Sequence, residues 1–163
     1  MKLPWKYIVV FLLLGMIFLG FVAPKEPLKS YYYQNRETYH GGTTEYFIYE
    51  ENGAISARYL DYIFEDTIYF FEKNDIDRKE LQWVDSMLNE TNVRRWRSYY
   101  QPMVECRDGN NWSAKVEFSD DTIYSRGYMI TPDNARLHKI NERIKELSGF
   151  DPSIIYKKNV VDE

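Results

Sequence analysis

The densest chemical cluster in the chain is Arg94-Arg95-Trp96-Arg97, followed closely by Tyr99-Tyr100. Guanidinium groups beside an indole could hold a phosphate while the ring stacks on a base. The same groups could hold an anionic lipid head group or an envelope polymer. A plainer reading buries Trp96 after a helix and spreads the arginines around its rim. Net charge favours the plainer reading. The 163 residues carry 21 Lys and Arg against 25 Asp and Glu, a formal charge of −4, which gives no electrostatic case for nucleic acid. Arg94, Arg95, Arg97, Tyr99 and Tyr100 form the candidate interaction surface, with no nucleic acid as partner.

Other chemistry is thinly supplied. Glu105, Asp108, Glu117, Asp120 and Asp121 cluster in sequence, and paired carboxylates can hydrolyse glycosides. With so many acids in a short chain, such proximity is expected by chance. Asp108-Gly109-Asn110-Asn111 and Asp120-Asp121 offer oxygen ligands, but neither has the spacing of a calcium loop, and both are what hairpin turns require. The single cysteine, Cys106, excludes an intrachain disulfide and a multi-thiolate zinc site. Paired with His40 or His138 it would imitate a thiol nucleophile and base, but a small buried hydrophobe and a solvated His138 are the simpler readings. An intermolecular disulfide stays open in an oxidising compartment. Asn89-Glu90-Thr91 and Asn111-Trp112-Ser113 match the N-glycosylation pattern, which has meaning only in a eukaryotic host. No catalytic residue, metal ligand or cofactor site is assigned.

The strongest signal lies at the start of the chain. Lys2 and Lys6 precede an uncharged run from Tyr7 to Ala23, near the lower length limit for a membrane-spanning helix. Trp5 and Tyr7 fall where an interfacial aromatic belt lies, and Pro24 and Pro27 end the run. A cleaved signal peptide competes, but Phe21 at the −3 position and Pro24 after the cut are poor for signal peptidase. The expected organisation is a head at 1–6, a membrane anchor at 7–23, a tether at 24–42, a domain at 43–148 and a tail at 149–163. Lysines flank both ends of the span, so charge gives nearly a tie in orientation. The short head places the domain outside the cytoplasm.

Elements follow from periodicity. Thr44–Tyr49, Ala54–Phe64 and Thr67–Phe71 read as strands, with Asn52-Gly53 as a hairpin turn and Glu65-Asp66 as a second. Asp77 caps a helix in which Glu80 completes a capping box, Ile76 and Leu81 form a staple, and Leu81, Val84 and Leu88 make the buried stripe. Trp112–Phe118 and Thr122–Met129 read as strands joined at Ser119-Asp120-Asp121, with a bulge at Gly127. Thr131 and Pro132 start a last helix, Leu137, Ile140, Ile144 and Leu147 form its buried stripe, and Gly149 ends it. The predicted fold is α+β, an antiparallel sheet of about five strands in the order βββ-α-ββ-α with two helices on one face. Tyr31-Tyr32-Tyr33 falls in the tether, either at the membrane interface or under the domain.

The order Trp96, Tyr99, Asp108-Gly109, Trp112, Val116, Phe118, Gly127, Pro132 and Asn134 resembles a functionally uncharacterised bacterial family of envelope-associated domains, over roughly residues 43–148. Asp120-Asp121 departs from the family's second Asp-Gly, so the tight turn is not implied there. The resemblance implies the fold order and supplies no site residue.

Aromatic residues make up 17% of the chain, more than one small core can bury. Some tyrosines are expected on an exposed contact face. The functional expectation is a membrane-tethered, non-catalytic interaction module of a bacterial cell envelope, held by residues 7–23 and contacting an envelope protein or polymer. The alternatives are a small envelope-polymer hydrolase or transferase using carboxylates, and a cytoplasm-facing membrane-bound regulator.

Overall fold

The computed structural model describes residues 26–37, 42–63, 67–103 and 109–153. The expected anchor at 7–23 lies outside these residues. So do His40, the Glu65-Asp66 turn, Glu105, Cys106, Asp108 and the end of the tail. Among the described residues, no helix is long and apolar enough to cross a membrane.

Strands β1 (Leu28–Glu37), β2 (Thr43–Glu51), β3 (Ala54–Ile63) and β4 (Thr67–Lys73) precede helix α1 (Arg78–Glu90). A 3-10 turn (Val93–Arg95), β5 (Tyr99–Tyr100), β6 (Asn110–Phe118), β7 (Thr122–Tyr128) and helix α2 (Asn134–Leu147) follow. The fold is α+β, with one seven-stranded sheet in the order β4-β3-β2-β1-β6-β7-β5. All pairings are antiparallel except β5 with β7.

The expectation of five strands is corrected to seven. The five predicted strands are present. The two added are β5 and β1, and β1 lies at the centre of the sheet, in the segment expected to be a tether. It pairs with β2 on one side and β6 on the other. Tyr31 and Tyr33 are core residues, stacked at 6.4 Å.

Both helices cover the same face of the sheet. Leu81, Val84 and Leu88 of α1 and Leu137, Ile140 and Ile144 of α2 meet Tyr31, Ile48, Ala57 and Val116 in one core. The alternation anticipated in β3 and β6 is the observed one. Ile55, Ala57 and Tyr59 are buried together, as are Trp112, Ala114, Val116 and Phe118. Asn52 and Gly53 both have positive φ, as the favoured two-residue hairpin turn requires.

Asp77 caps α1 by accepting from the Lys79 amide. Glu80, expected to complete a capping box, instead grips the Arg143 guanidinium of α2 at 2.6 and 3.0 Å. A second correction concerns α2. Its cap is Asp133, which accepts from the Arg136 amide, so the helix begins two residues after the expected Thr131-Pro132 start. A carboxylate at this end also suits the helix dipole. The bulge expected at Gly127 is absent, because the β6–β7 register runs unbroken past it. Glycine serves close approach there. An added Cβ would lie 2.7 Å from Trp112 Nε1 and 2.8 Å from the Tyr100 carbonyl oxygen.

One polar link ties the centre of the sheet to α2. The wholly buried Tyr31 hydroxyl donates to Asn141 Oδ1 at 3.0 Å. Burial pushes this phenol well above its ordinary pKa, so it remains a neutral donor. Tyr31→Phe should cost about 1–3 kcal/mol by leaving the amide oxygen short of a partner. Urea unfolding should show a lower midpoint with an unchanged slope. An unshifted midpoint would show that the bond contributes nothing.

Candidate functional site

An antiparallel sheet with one solvated face normally turns polar side chains outward. This one does not. Opposite the helices, cross-strand neighbours place Glu72, Arg58, Phe47, Tyr32, Lys115 and Tyr124 in one row across six strands. The adjoining row brings Phe70 beside Leu60, and Tyr49 stands two residues from Phe47. Ile68, Phe70 and Tyr124 are 58%, 53% and 64% exposed. No described element covers this face.

Arg58 organises the aromatic part. Its guanidinium lies 5.5–5.9 Å from the ring centres of Phe47, Tyr49 and Phe70. It also donates to Glu72 at 2.9 Å, and Tyr49 donates to the same carboxylate at 2.8 Å. Partial burial alone would raise the Glu72 pKa, but these two hydrogen bonds outweigh it and hold Glu72 below its ordinary value. Burial, helped by the nearby Glu45 charge, pushes Tyr32 up to about 12. Tyr32 therefore presents a neutral hydroxyl, and Glu72 is engaged in a local pair.

Beside the rings runs a shallow trough of about 490 Å³, lined by Tyr32, Lys115, Tyr124 and Arg126 among others. Its far side meets part of the cluster singled out from sequence. Arg126 lies 5.8 Å from the Tyr99 ring, and Tyr99 is 48% exposed on β5. The other four candidates do not share this surface uniformly. Tyr100 turns inward against Trp112, and its hydroxyl accepts from the Arg97 amide at 3.0 Å. Arg94 is structural. It is held by Asp120 at 3.0 and 3.2 Å and lies 4.1 Å from the Phe118 ring centre. Arg95 and Arg97 are exposed. Trp96 is half-buried and donates to the Thr91 carbonyl, much as the plainer reading had it.

A second concavity, of about 180 Å³, lies on the helix side at the end of the sheet. Its sheet wall is formed by Tyr33, Asn35, Tyr46, Asn110 and Trp112. Asn134, Leu137, His138 and Asn141 form the α2 wall, at the i, i+3, i+4, i+7 spacing of a single helix face. Burial pushes both the Tyr33 and Tyr46 phenols upward, so they too stay neutral. None of the residues around it is a carboxylate, lysine or arginine.

No family model matches the chain, and no curated protein matches it in sequence.

The described acids of the sequence cluster are engaged separately. Glu117 pairs with Lys115 and accepts from Ser30 at 2.6 Å on the open face, which keeps its pKa low. Asp120 pairs with Arg94, and Asp121 accepts from the Thr122 amide. Among the described residues, no three of His, Cys, Asp and Glu are grouped to hold a metal ion. The sequence reading missed Asn141. Its signal was a buried-stripe position of α2, between Ile140 and Ile144, occupied by an amide. His138, expected to be solvated, is exposed at the rim of the concavity.

Proposed function

We propose that the protein is a membrane-tethered, non-catalytic interaction module of a bacterial cell envelope, and that it binds through the open face of its sheet. The observation that carries this reading is the aromatic face itself. Exposed Ile68, Phe70 and Tyr124 flank Tyr32, Phe47 and Tyr49 where an antiparallel sheet would ordinarily be polar. Large rigid rings suit a protein or polymer surface and lose little side-chain entropy on binding.

The tethering rests on the apolar run Tyr7–Ala23 and its lysine flanks. Because β1 begins at Leu28, the link after Ala23 spans at most roughly 17 Å, and the domain is held against the bilayer surface. The carboxylate-enzyme alternative gains nothing from Glu117, Asp120 and Asp121, which are engaged in separate local contacts.

Photo-crosslinking in the native membrane tests the proposal. A crosslinker at Phe70 or Tyr124 should capture a discrete partner, and one at Gln82 or Lys139 on the outer helical surface should not. Ile68→Ser with Phe70→Ser should abolish capture from a crosslinker at Tyr124 without lowering the unfolding midpoint. Capture from the helical side alone, or turnover of an envelope substrate by the purified protein, would overturn the reading. A reporter fused to the C-terminus decides the side of the membrane.

A further inference from the structure

We infer that the concavity between α2 and the end of the sheet is a binding site for a neutral, hydroxyl-rich ring, the size of one pyranose sugar. It lies on the helix side, away from the open aromatic face, and is tested independently of it.

The space arises where apolar packing gives way to amides. On the adjoining stripe of α2, Ile140 and Ile144 seal the layer against the sheet. At this end Asn141 and Asn134 project from the helix, and Asn35 and Asn110 from the strands. An apolar residue at 141 would close the layer with a simpler core. Instead a buried amide is held in place by the Tyr31 hydroxyl, itself fully buried. Asn141 is buried and fixed, whereas Asn110 and Asn134 are open to solvent, so the cavity offers hydrogen-bonding groups to a polar molecule that enters it.

The ligand class follows by elimination. A bound anion would want a fixed cation, and neither lysine nor arginine lines the site; a bound cation would want a carboxylate, and none lines it. An apolar ligand would strip water from four amides and two phenols without replacing their bonds. What remains is a neutral molecule whose groups both donate and accept, as side-chain amides and phenols do. Sugar hydroxyls have that property. At about 180 Å³ the volume is below the roughly 300–1,000 Å³ of drug-sized clefts. It suits a single ring, entering past His138.

The test uses the full chain, ¹⁵N-labelled and held in detergent micelles. Its four tryptophans give four indole signals, and Trp112→Phe assigns the one at the site. Glucose and N-acetylglucosamine are titrated in parallel with glucuronate, the same ring bearing a charge. The Trp112 indole should shift saturably with at least one neutral sugar while the other three stay fixed. Glucuronate should bind at least about tenfold more weakly. Asn35→Leu and His138→Leu, made separately, should each weaken the neutral sugar by several-fold, with unfolding midpoints recorded for both. No saturable shift with either neutral sugar would mean that the cavity holds only water, and would overturn the inference. So would equal binding of glucuronate, uniform shifts of all four indoles, or undiminished binding by both variants in their folded form.

Discussion

A protein shortened to begin at Thr43 should not fold, whereas one beginning at Glu26 should unfold cooperatively in urea. The difference between them is β1. It supplies the only sheet contact between the β2–β3–β4 meander and the β6–β7 hairpin among the described residues. It also carries Leu28, Tyr31 and Tyr33, all buried in the core. Full burial of each large side chain is worth about 1.5–3 kcal/mol. The main-chain ladders to both neighbours and the Tyr31–Asn141 bond are lost with it. Total stability for a domain of this kind is about 5–15 kcal/mol. Losing its central strand therefore exceeds what the rest can spare. Far-UV circular dichroism and urea titration of the two fragments decide the matter. A cooperative transition of the shorter fragment at the midpoint of the longer one would refute the central role of β1.

The next largest effect is expected from Trp112→Ala, at about 3–5 kcal/mol. The indole is 4% exposed and stacks on Tyr33 at 6.0 Å with the rings 9° from parallel. Tyr100 packs on it at 5.9 Å, and its Nε1 donates to the Ile130 carbonyl at 2.8 Å. Gly127 faces the ring across the β6–β7 pair and leaves it room. Alanine would open a cavity among residues that are anchored in three different strands and cannot collapse together. Trp112→Phe keeps an aromatic ring in the stack and should cost clearly less. Thermal or urea unfolding measures both. Equal losses for the two substitutions would place the stabilisation in the Ile130 hydrogen bond and not in the stacked ring.

Much of the architecture is written in local pattern. Period-two alternation in Ala54–Ile63 and Trp112–Phe118 marks the face that turns to the core, because adjacent side chains on a strand point to opposite sides. Helical spacing does the same for Leu81, Val84 and Leu88 and for Leu137, Ile140 and Ile144. Asn52-Gly53 specifies its turn because glycine and asparagine tolerate positive φ at little cost. These signals are short-range, and the chain obeys them wherever no distant partner competes.

Only the tertiary structure decided the rest. Tyr31-Tyr32-Tyr33 has no alternation of polarity. Its identity as the central strand comes from β6, more than 70 residues later in the chain, so that Tyr31 and Tyr33 enter the core while Tyr32 meets Phe47 on the other face. The parallel pair of β5 with β7 is equally non-local. Thr131 loses the helix cap to Asp133, whose carboxylate is fixed by Arg136, which in turn reaches Glu90 of α1. The candidate sites have the same origin. Phe47, Arg58, Phe70 and Tyr124 become one surface only through strand pairing, and Asn35, Asn110 and Asn141 meet only where α2 crosses the sheet's end. A sequence states which way each side chain faces along its own element. Which faces meet is set by packing between elements far apart in the chain.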